Sequence, residues 1–297
     1  MSEWSWEPAP DSGVRNRWVE ANGLRFEVAE AGEGDHLALL LHGFPELNFS
    51  WRHQMPLLAE MGYRAWAPNQ RGYGMTSRPE GVAAYTVDKL VADVAALIDA
   101  SGAKKVTLIA HDWGGAVAWL FAIDEVRPLE RLVVMNLPHP ACFARELKTW
   151  KQMKKSWYIL FFQLPWLPEK MLTADDAAGI RRAFRGMAVD KSRFPRADLD
   201  VYARAAQQPG AMTAMLNWYR AAVRHRAIDR AYPTLETPTL LIWGEQDTAL
   251  DVATTEGTDA YVSDFTLRRL LGVSHWVQQE APEKVNAILQ EWLTTAR

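Results

Sequence analysis

Short apolar runs alternate with amphipathic segments along the first part of the chain. Largely apolar runs predict buried strands at 36–41, 64–68, 106–110 and 131–135. Two further strand-like runs flank Asn22-Gly23, which is a hairpin signal. Between 87 and 100, apolar residues recur at the spacing of one buried helix face, and Gly102 ends the segment. Strands that alternate with helices are typical of a parallel sheet covered on both faces.

The alternation of predicted strands and helices is interrupted in the middle of the chain. From about 138 to 230 the pattern is helical, with proline and charge clusters and no strand-like run. Strand-like runs return at 239–243 and 265–271. We therefore predict an α/β core of residues 1–137 and 231–297, with a helical cap inserted at 138–230. The cap would cover the carboxyl ends of the strands, where open α/β sheets bind ligands.

Composition and charge argue against two classes of function. The 297 residues are 48% hydrophobic and 23% charged, with a net charge of −3, which fits a globular protein and argues against a nucleic-acid binder. We interpret the basic clusters at 148–155 and 181–185 as solvated helix faces. The apolar run at 157–167 contains Gln163 and Pro165 and is too short to span a bilayer. We expect a pocket wall there, and a contact with a membrane surface is the alternative.

The cysteine content fits a reducing compartment. The single cysteine, Cys142, cannot form an internal disulfide. The first residues, MSEWSWEPAPDSG, contain neither a cationic n-region nor an apolar h-region, so we expect no signal peptide. The sequence therefore predicts a cytoplasmic protein without a transmembrane segment.

The stretch VTLIAHDWGGAVAWL, residues 106–120, predicts a strand that turns sharply into a helix at Asp112. Ala110 and Gly114 are small residues two positions on either side, as in a nucleophile elbow, where a hydrolase usually carries serine. A carboxylate at this point suits direct displacement at an electrophilic carbon, which gives an ester. Hydrolysis of that ester requires water, a base, and an acid that orients the base.

Candidates for the acid and the base occur later in the chain. Asp247 and His275 each come directly after a predicted strand. With Asp112 they follow the nucleophile–acid–histidine order that is typical of α/β-hydrolases. Asp251 is an alternative acid, but a helix cap explains it more simply. Asn136, after the strand at 131–135, cannot carry the charge of the acid.

The loop HGFP at 42–45 predicts two hydrogen-bond donors near the elbow. Gly43 allows a tight turn after the first buried strand, so that the Phe44 N–H can face the nucleophile. Together with the Trp113 N–H it would form an oxyanion hole. Pro45 has no N–H and cannot contribute a donor itself.

The motifs resemble those of the α/β-hydrolase-fold epoxide hydrolases over nearly the whole chain. The matching stretches are HGFPE (42–46), SWRHQ (50–54), RGYG (71–74), HDWGG (111–115), SWYILFFQLP (156–165), LNWYR (216–220) and SHW (274–276). Haloalkane dehalogenases share HDWGG, whereas the full set is specific. The resemblance implies an α/β-hydrolase fold with a mostly parallel sheet, helices on both faces and an inserted helical cap.

The resemblance also implies which residues bind the substrate. Tyr158 and Tyr219, from two cap motifs, correspond to tyrosines that hold the epoxide oxygen, and a phenol is a neutral proton donor at pH 7. We expect the substrate pocket to be lined by Phe44, Pro45, Trp113, Phe162 and Trp276. An apolar cap wall, which favours a lipophilic or aromatic epoxide, is expected from Leu160, Phe161, Phe162, Trp166 and Leu167.

The implied reaction converts an epoxide to a vicinal diol. Asp112 would open the ring to a covalent ester, and His275, oriented by Asp247, would activate the water that hydrolyses this ester. The resemblance implies neither a metal nor an organic cofactor. We expect the chain to act as a monomer or a homodimer.

Other functions are less favoured by the residues. A haloalkane dehalogenase would also use Asp112, with the Trp113 indole on the halide, but that family usually has Asn where Phe44 stands. Fluoroacetate-type dehalogenases typically have Arg in place of Trp113. A non-catalytic binding protein usually lacks a catalytic residue, and an ordinary esterase needs Ser or Cys at the elbow.

Overall fold

The computed structural model describes residues 4–225 and 231–295. Its strands are β1 (Val14–Ala21), β2 (Leu24–Ala31), β3 (His36–Leu41), β4 (Arg64–Pro68), β5 (Lys105–His111), β6 (Arg131–Met135), β7 (Thr239–Gly244) and β8 (Phe265–Leu270). Its α-helices are α1 (Gln54–Glu60), α2 (Val87–Ser101), α3 (Trp113–Ile123), α4 (Pro140–Glu146), α5 (Trp150–Lys155), α6 (Trp157–Phe161), α7 (Leu167–Met187), α8 (Arg196–Ala206), α9 (Ala211–Arg224), α10 (Val277–Glu280) and α11 (Pro282–Thr294). The strands predicted from apolar runs are present, with ends within one residue of those predicted.

The described strands form one sheet in the order β1-β2-β4-β3-β5-β6-β7-β8. β1 and β2 are antiparallel, and the connecting residues Asn22 and Gly23 have φ values of 49° and 70°, the left-handed conformation of a tight hairpin. β2 also runs antiparallel to β4, whereas neighbouring strands from β4 to β8 are parallel. The prediction of a mostly parallel sheet is confirmed.

Helices bury the side chains on both faces of the sheet. Along β3, the leucines Leu37, Leu39 and Leu41 pack in one apolar cluster with α2 and α3. Ala38 and Leu40 point to the other face and pack in a second cluster with α1 and α11. Full burial of a leucine side chain contributes roughly 1.5–3 kcal/mol. These apolar strands are therefore fixed between two helical layers, and their carboxyl ends meet at one edge of the sheet.

The segment between β6 and β7 is helical, as predicted. Its described part forms α4 to α9 and contains no strand. Trp218 Nε1, on α9, donates to the Arg71 carbonyl at 3.1 Å, and this bond joins the segment to a loop above the sheet. The division into a core and a cap at 138–230 stays a prediction, and its boundary at 230 lies outside the described residues.

Arg220 joins two helices of this segment. From α9, its Nε donates to the Phe162 carbonyl at 3.0 Å, and its Nη2 donates to the Leu164 carbonyl at 2.7 Å, just after α6. Its Nη1 lies 2.7 Å from Glu169 Oε1 in an ion pair at the start of α7. Because Arg220 is buried, these contacts satisfy a charge that water cannot reach.

Replacing Arg220 with alanine should lower the free energy of unfolding by about 3 kcal/mol, because it leaves a largely buried carboxylate without its partner. Urea unfolding followed by tryptophan fluorescence measures the change. Arg224→Ala, at an exposed position on the same helix, is the matched control and should change stability by less than about 0.5 kcal/mol. Equal effects of the two substitutions would contradict this account of the Arg220 contacts.

Candidate active site

Asp112 occupies a strained turn between β5 and α3. Its backbone angles are φ 47° and ψ −123°, outside the regions favoured by residues that carry a side chain. Such a conformation costs about 1–3 kcal/mol and persists only where the surroundings enforce it. Two glycines make room for the turn: a Cβ on Gly43 would collide with the Asp112 side chain, and a Cβ on Gly114 would collide with the Leu41 carbonyl.

Asp112, His275 and Asp247 come together at the carboxyl ends of three strands. His275 Nδ1 donates to Asp247 Oδ2 at 2.6 Å, and His275 Nε2 lies 3.5 Å from Asp112 Oδ2. All three side chains are buried. The imidazole of His275 therefore bridges the two carboxylates that the sequence singles out.

Backbone groups and an amide side chain hold the Asp247 carboxylate. Its Oδ1 accepts hydrogen bonds from the N–H groups of Ala249 (2.7 Å) and Leu250 (2.9 Å). Its Oδ2 accepts one from Asn136 Nδ2 at 2.8 Å, in addition to the bond from His275. Asn136 lacks the charge of an acid, as the sequence indicates, but it orients the acid. The sequence does not predict that contact.

Asp251, the alternative acid, has other partners. Its carboxylate accepts a hydrogen bond from the Ala253 N–H at 3.1 Å and so caps the short turn at 252–255. It also pairs with Lys151 at 2.9 Å and with Lys155 at 3.2 Å. The preference for a capping role over a role beside His275 agrees with this geometry.

Opposing charges determine the protonation of this cluster. Burial lowers the pKa of His275, but the carboxylates of Asp247 and Asp112 outweigh burial and raise it to about 10. Burial raises the pKa of each carboxyl group, yet the interactions with His275 outweigh it and hold both pKa values below the ordinary value. At neutral pH an imidazolium therefore lies between two carboxylates.

Tyr158 of α6 and Tyr219 of α9 are neighbours, with ring centroids 5.9 Å apart. Burial raises the pKa of each phenol, and the negative charge of Asp112 raises it further. Both phenols are therefore neutral hydrogen-bond donors at neutral pH. Phe44 and Phe162 pack edge-on against Tyr219, with centroid distances of 5.2 Å and 4.9 Å. The phenols thus stand in an aromatic, apolar wall.

One of the two expected oxyanion donors already contacts the carboxylate. The Phe44 N–H donates to Asp112 Oδ1 at 2.8 Å. Trp113 is the first residue of α3, where a backbone N–H has no acceptor within its own helix. The indole of Trp113 packs against Tyr219 with a centroid distance of 4.9 Å. The elbow therefore places a carboxylate, backbone donors and a phenol side by side.

The expected pocket residues fall into two groups. Three of them belong to the aromatic cluster around the tyrosines: Phe44, Trp113 and Phe162. Pro45 is buried and follows a cis peptide bond. Trp276 is also buried, and its ring lies 4.8 Å from the His275 ring, so that it supports the imidazole.

Known proteins resemble this chain along most of its length. A family model described as alpha/beta hydrolase fold matches residues 39–282. The AB hydrolase superfamily protein YfhM of Bacillus subtilis is 39% identical over 284 residues, which cover 95% of this chain and 98% of that protein. Epoxide hydrolase 4 of Mus musculus is 38% identical over 282 residues, which cover 93% of this chain and 78% of that protein.

Solved structures also resemble this chain along most of its length. The crystal structure of the Bacillus megaterium epoxide hydrolase in complex with an inhibitor superposes with a TM-score of 0.86 at 29% identity, covering 94% of this chain and 100% of that one. This chain belongs to the epoxide hydrolases of the α/β-hydrolase fold. The fold that the sequence motifs imply is thereby confirmed for this epoxide hydrolase.

The prediction of an apolar cap wall is wrong at two of its five positions. Leu160 is 72% exposed and Trp166 is 68% exposed, so neither lines an interior surface. Phe162 lies in the aromatic cluster, as expected. Because α6 is apolar on both sides, hydrophobicity alone does not indicate which side faces inward.

A buried pair, Glu46 and His111, lies behind the site, and the sequence predicts no role for it. Glu46 Oε2 accepts hydrogen bonds from His111 Nδ1 at 2.6 Å and from the Gly43 N–H at 2.7 Å. His111 Nε2 donates to the His275 carbonyl at 2.9 Å. Both ring nitrogens of His111 are therefore held by oxygen atoms, one from Glu46 and one from the backbone of His275. The sequence feature that could have indicated this pair is a glutamate and a histidine inside otherwise buried stretches, HGFPE and HDWGG.

Residues 4–225 and 231–295 show neither a metal-binding cluster nor a membrane-spanning helix. No group of three or more His, Cys, Asp or Glu side chains in these ranges could hold a metal ion. None of the helices there is both long enough and apolar enough to cross a bilayer.

The charge cluster predicts a pH dependence of stability. The pKa of His275 is raised from 6.5 to about 10 on folding, so its contribution to stability is complete below pH 6.5 and is lost as the pH rises through about 10. Urea unfolding of the wild type at pH 6, 8 and 10 should show this loss, with a slope of at most about 1.4 kcal/mol per pH unit for one proton.

His275→Gln is the matched control for this slope, because it removes the titrating group and leaves the other ionisable groups in place. The difference in unfolding free energy between the wild type and this variant should shrink as the pH rises from 6 to 10. A difference in unfolding free energy that stays constant from pH 6 to pH 10 would contradict the assignment of an imidazolium between two carboxylates.

Proposed function

We propose that this epoxide hydrolase converts a lipophilic or aromatic epoxide to a vicinal diol through a covalent ester on Asp112. The observation that carries the proposal is the buried Asp112 carboxylate, held by the Phe44 N–H and His275, next to the aromatic cluster that contains the two tyrosine side chains. A carboxylate can displace an oxygen at carbon, and a phenol can protonate the oxygen that leaves. The rings of Phe44 and Phe162 support an apolar substrate.

In the first step, Asp112 Oδ2 attacks one ring carbon of the epoxide. A new carbon–oxygen bond forms as the ring carbon–oxygen bond breaks, and the ring oxygen takes a proton from Tyr158 or Tyr219. Asp112 Oδ1 keeps the hydrogen bond from the Phe44 N–H and becomes the carbonyl oxygen of the ester. The imidazolium proton of His275 then restores the phenol, which leaves a neutral imidazole.

Formation of the ester prepares His275 for the second step. Esterification removes the negative charge of Asp112, which is one of the two charges that raise the pKa of His275. The pKa of the imidazole therefore falls once the ester has formed, and His275 stays neutral until it accepts a proton from water. Asp247 continues to orient the ring through Nδ1.

In the second step, water attacks the ester carbon of Asp112 and gives one proton to His275 Nε2. The negative oxygen that develops accepts hydrogen bonds from the N–H groups of Phe44 and Trp113, each worth roughly 10²–10³ in rate in comparable sites. Collapse of this intermediate breaks the ester bond. The departing alkoxide takes the remaining proton of the attacking water, so that the diol leaves and the resting carboxylate and imidazolium are restored.

We also propose that residues 138–230 act as the cap of this site. The two phenols come from α6 and α9 of that segment, whereas Asp112 and His275 follow strands of the sheet. A substrate bound between them would be shielded from water during ring opening. The monomeric or homodimeric state and the cytoplasmic location stay predictions.

Replacing the nucleophile and the base should have different consequences. Asp112→Ala should abolish hydrolysis of styrene oxide, because no ester can form. His275→Gln should form the ester and then stall, so that intact-protein mass spectrometry shows an increase equal to one substrate. The double variant Asp112→Ala/His275→Gln is the control and should show no adduct. An unmodified His275→Gln protein after incubation with the epoxide would contradict the covalent route.

Replacing the phenols should slow ring opening. Tyr158→Phe and Tyr219→Phe should each reduce the single-turnover rate of ester formation by roughly 10²-fold, the lower end for general acid catalysis. The double variant should form no measurable ester. Tyr261→Phe, which alters a tyrosine stacked on His139, is the matched control and should leave the rate unchanged. A double variant with the wild-type rate would exclude both tyrosines as donors.

A parallel assay distinguishes the proposal from dehalogenation and ester hydrolysis. Styrene oxide, a haloalkane and a p-nitrophenyl ester are offered to the same preparation, and diol, halide and nitrophenol are measured. We expect diol only, because Tyr158 and Tyr219 assist an oxygen leaving group and give a departing halide no comparable advantage. Halide release without diol formation would overturn the proposed activity.

A further inference from the structure

An exposed apolar stripe follows the outside of α5, α6 and the turn after them. Its six side chains are each between 44% and 72% exposed: Trp150, Met153, Trp157, Leu160, Leu164 and Trp166. The first five recur every three or four residues, as one face of a helical segment does. The opposite face includes the buried residues Gln152, Ser156 and Phe162. The stripe is therefore apolar surface left over after the inner face has packed.

Most of the large exposed hydrophobic side chains lie in or next to the stripe. With Met171, the region between 150 and 171 holds seven of the eleven large exposed hydrophobic side chains in the described part of the chain. A concentration of exposed apolar side chains is typical of surfaces that bind a partner or a membrane. Three of its residues are tryptophans, whose rings favour the boundary between water and an apolar phase.

Lysines accompany the stripe. Residues 148–171 contain five lysines and one acidic residue, Glu169, which is paired with Arg220. Two of these lysines pair with the buried Asp251. The other three, Lys148, Lys154 and Lys170, are exposed and form no ion pair with an acidic group among the described residues. Lys154 lies over the Trp150 ring, 5.0 Å from its centroid. The surface is therefore both apolar and cationic.

The positive charge of the stripe disfavours a second copy of this chain as its partner. In a symmetric dimer built on the stripe, the same surface of both copies would meet. Two positively charged surfaces, each with exposed lysines at 148, 154 and 170, would then meet, and like charges would oppose the contact. A surface with negative charge at its boundary and an apolar interior matches both properties of the stripe.

We propose that the stripe seats this enzyme on the surface of a membrane that contains anionic lipids. The tryptophans and Leu160 would enter the boundary between headgroups and acyl chains, while the three exposed lysines would bind lipid phosphates. The contact is peripheral. It rests on the exposed residues alone and does not depend on the covalent mechanism.

The position of the stripe gives this contact a functional consequence. Helix α6 presents Trp157 and Leu160 outward, and on the opposite side it carries Tyr158 toward Tyr219. The surface that meets the membrane is thus the outer side of the wall that encloses the candidate active site. A lipophilic epoxide dissolved in the bilayer would reach the enzyme next to that wall.

Vesicle flotation with the 297-residue chain tests the proposal. Phosphatidylcholine vesicles with phosphatidylglycerol should float the wild type at low ionic strength, at least about tenfold better than phosphatidylcholine alone. Trp150→Ser/Trp157→Ser/Leu160→Ser should lose this binding. Trp18→Ser/Val189→Ser/Leu271→Ser, which removes exposed apolar side chains elsewhere, is the matched control and should bind as the wild type does.

A second pair of variants tests the charge without altering apolar packing. Lys148→Gln/Lys154→Gln/Lys170→Gln should bind anionic vesicles about tenfold more weakly and with less dependence on salt. Lys89→Gln/Lys191→Gln/Lys284→Gln, at other exposed positions, should bind as the wild type does. Styrene oxide turnover without vesicles should be unchanged in all four variants, which shows that each is folded.

Three results would overturn the proposal. The first is a wild-type protein that does not float with anionic vesicles. The second is a stripe variant that retains full turnover and floats as well as its control. The third is a wild-type dimer, detected by sedimentation, that the stripe substitutions dissociate while no vesicle binding occurs, since a second copy would then cover the stripe.

Discussion

Three buried charges of alternating sign hold the candidate site together. Removing a carboxylate or an imidazolium from water costs several kcal/mol, and burial without a partner would drive each group to its neutral form. His275 prevents this for Asp112 and Asp247 at once, because one ring nitrogen faces each carboxylate. The backbone donors and Asn136 add further hydrogen bonds to these carboxylates. The parallel sheet makes the arrangement possible, since it brings three strand ends to one edge.

The charged cluster borders a group of aromatic rings that carry no charge. Tyr158 and Tyr219 lie among Phe44, Phe162 and Trp113, so the reacting bond would lie between a polar and an apolar wall. A carboxylate is a better nucleophile where few waters compete for it, and a phenol is a more effective donor there. Under the proposed mechanism, the fold separates the carboxylate that would attack from the phenols that would protonate the leaving oxygen.

Much of the fold follows from the sequence because buried parallel strands are uniformly apolar and end at chemically distinct residues. The strand positions, the hairpin at Asn22-Gly23 and the approach of Asp112, Asp247 and His275 could be predicted from that pattern. The catalytic roles of these three residues stay predictions. Contacts such as the bond from Asn136 to Asp247 could not be predicted, because they depend on how two loops approach each other in space.

The exposed side of α6 shows a different limit of sequence reasoning. Apolar residues occur on both sides of this short helix, so the pattern contains no polar face to mark the outside. The structure places Phe162 inside and Leu160 outside. Burial is decided by neighbouring helices and by the Arg220 contacts, which lie far away in the chain.

The contacts of Arg220 also couple the two phenols mechanically. Arg220 follows Tyr219 directly in α9, and it binds the carbonyls of Phe162 and Leu164 just beyond the helix that carries Tyr158. A movement that lifts α6 away from the sheet therefore also pulls on α9. If Tyr158 and Tyr219 are the proposed proton donors, these contacts hold both in one fixed relation, so a displacement of either helix would remove both donors from the site together.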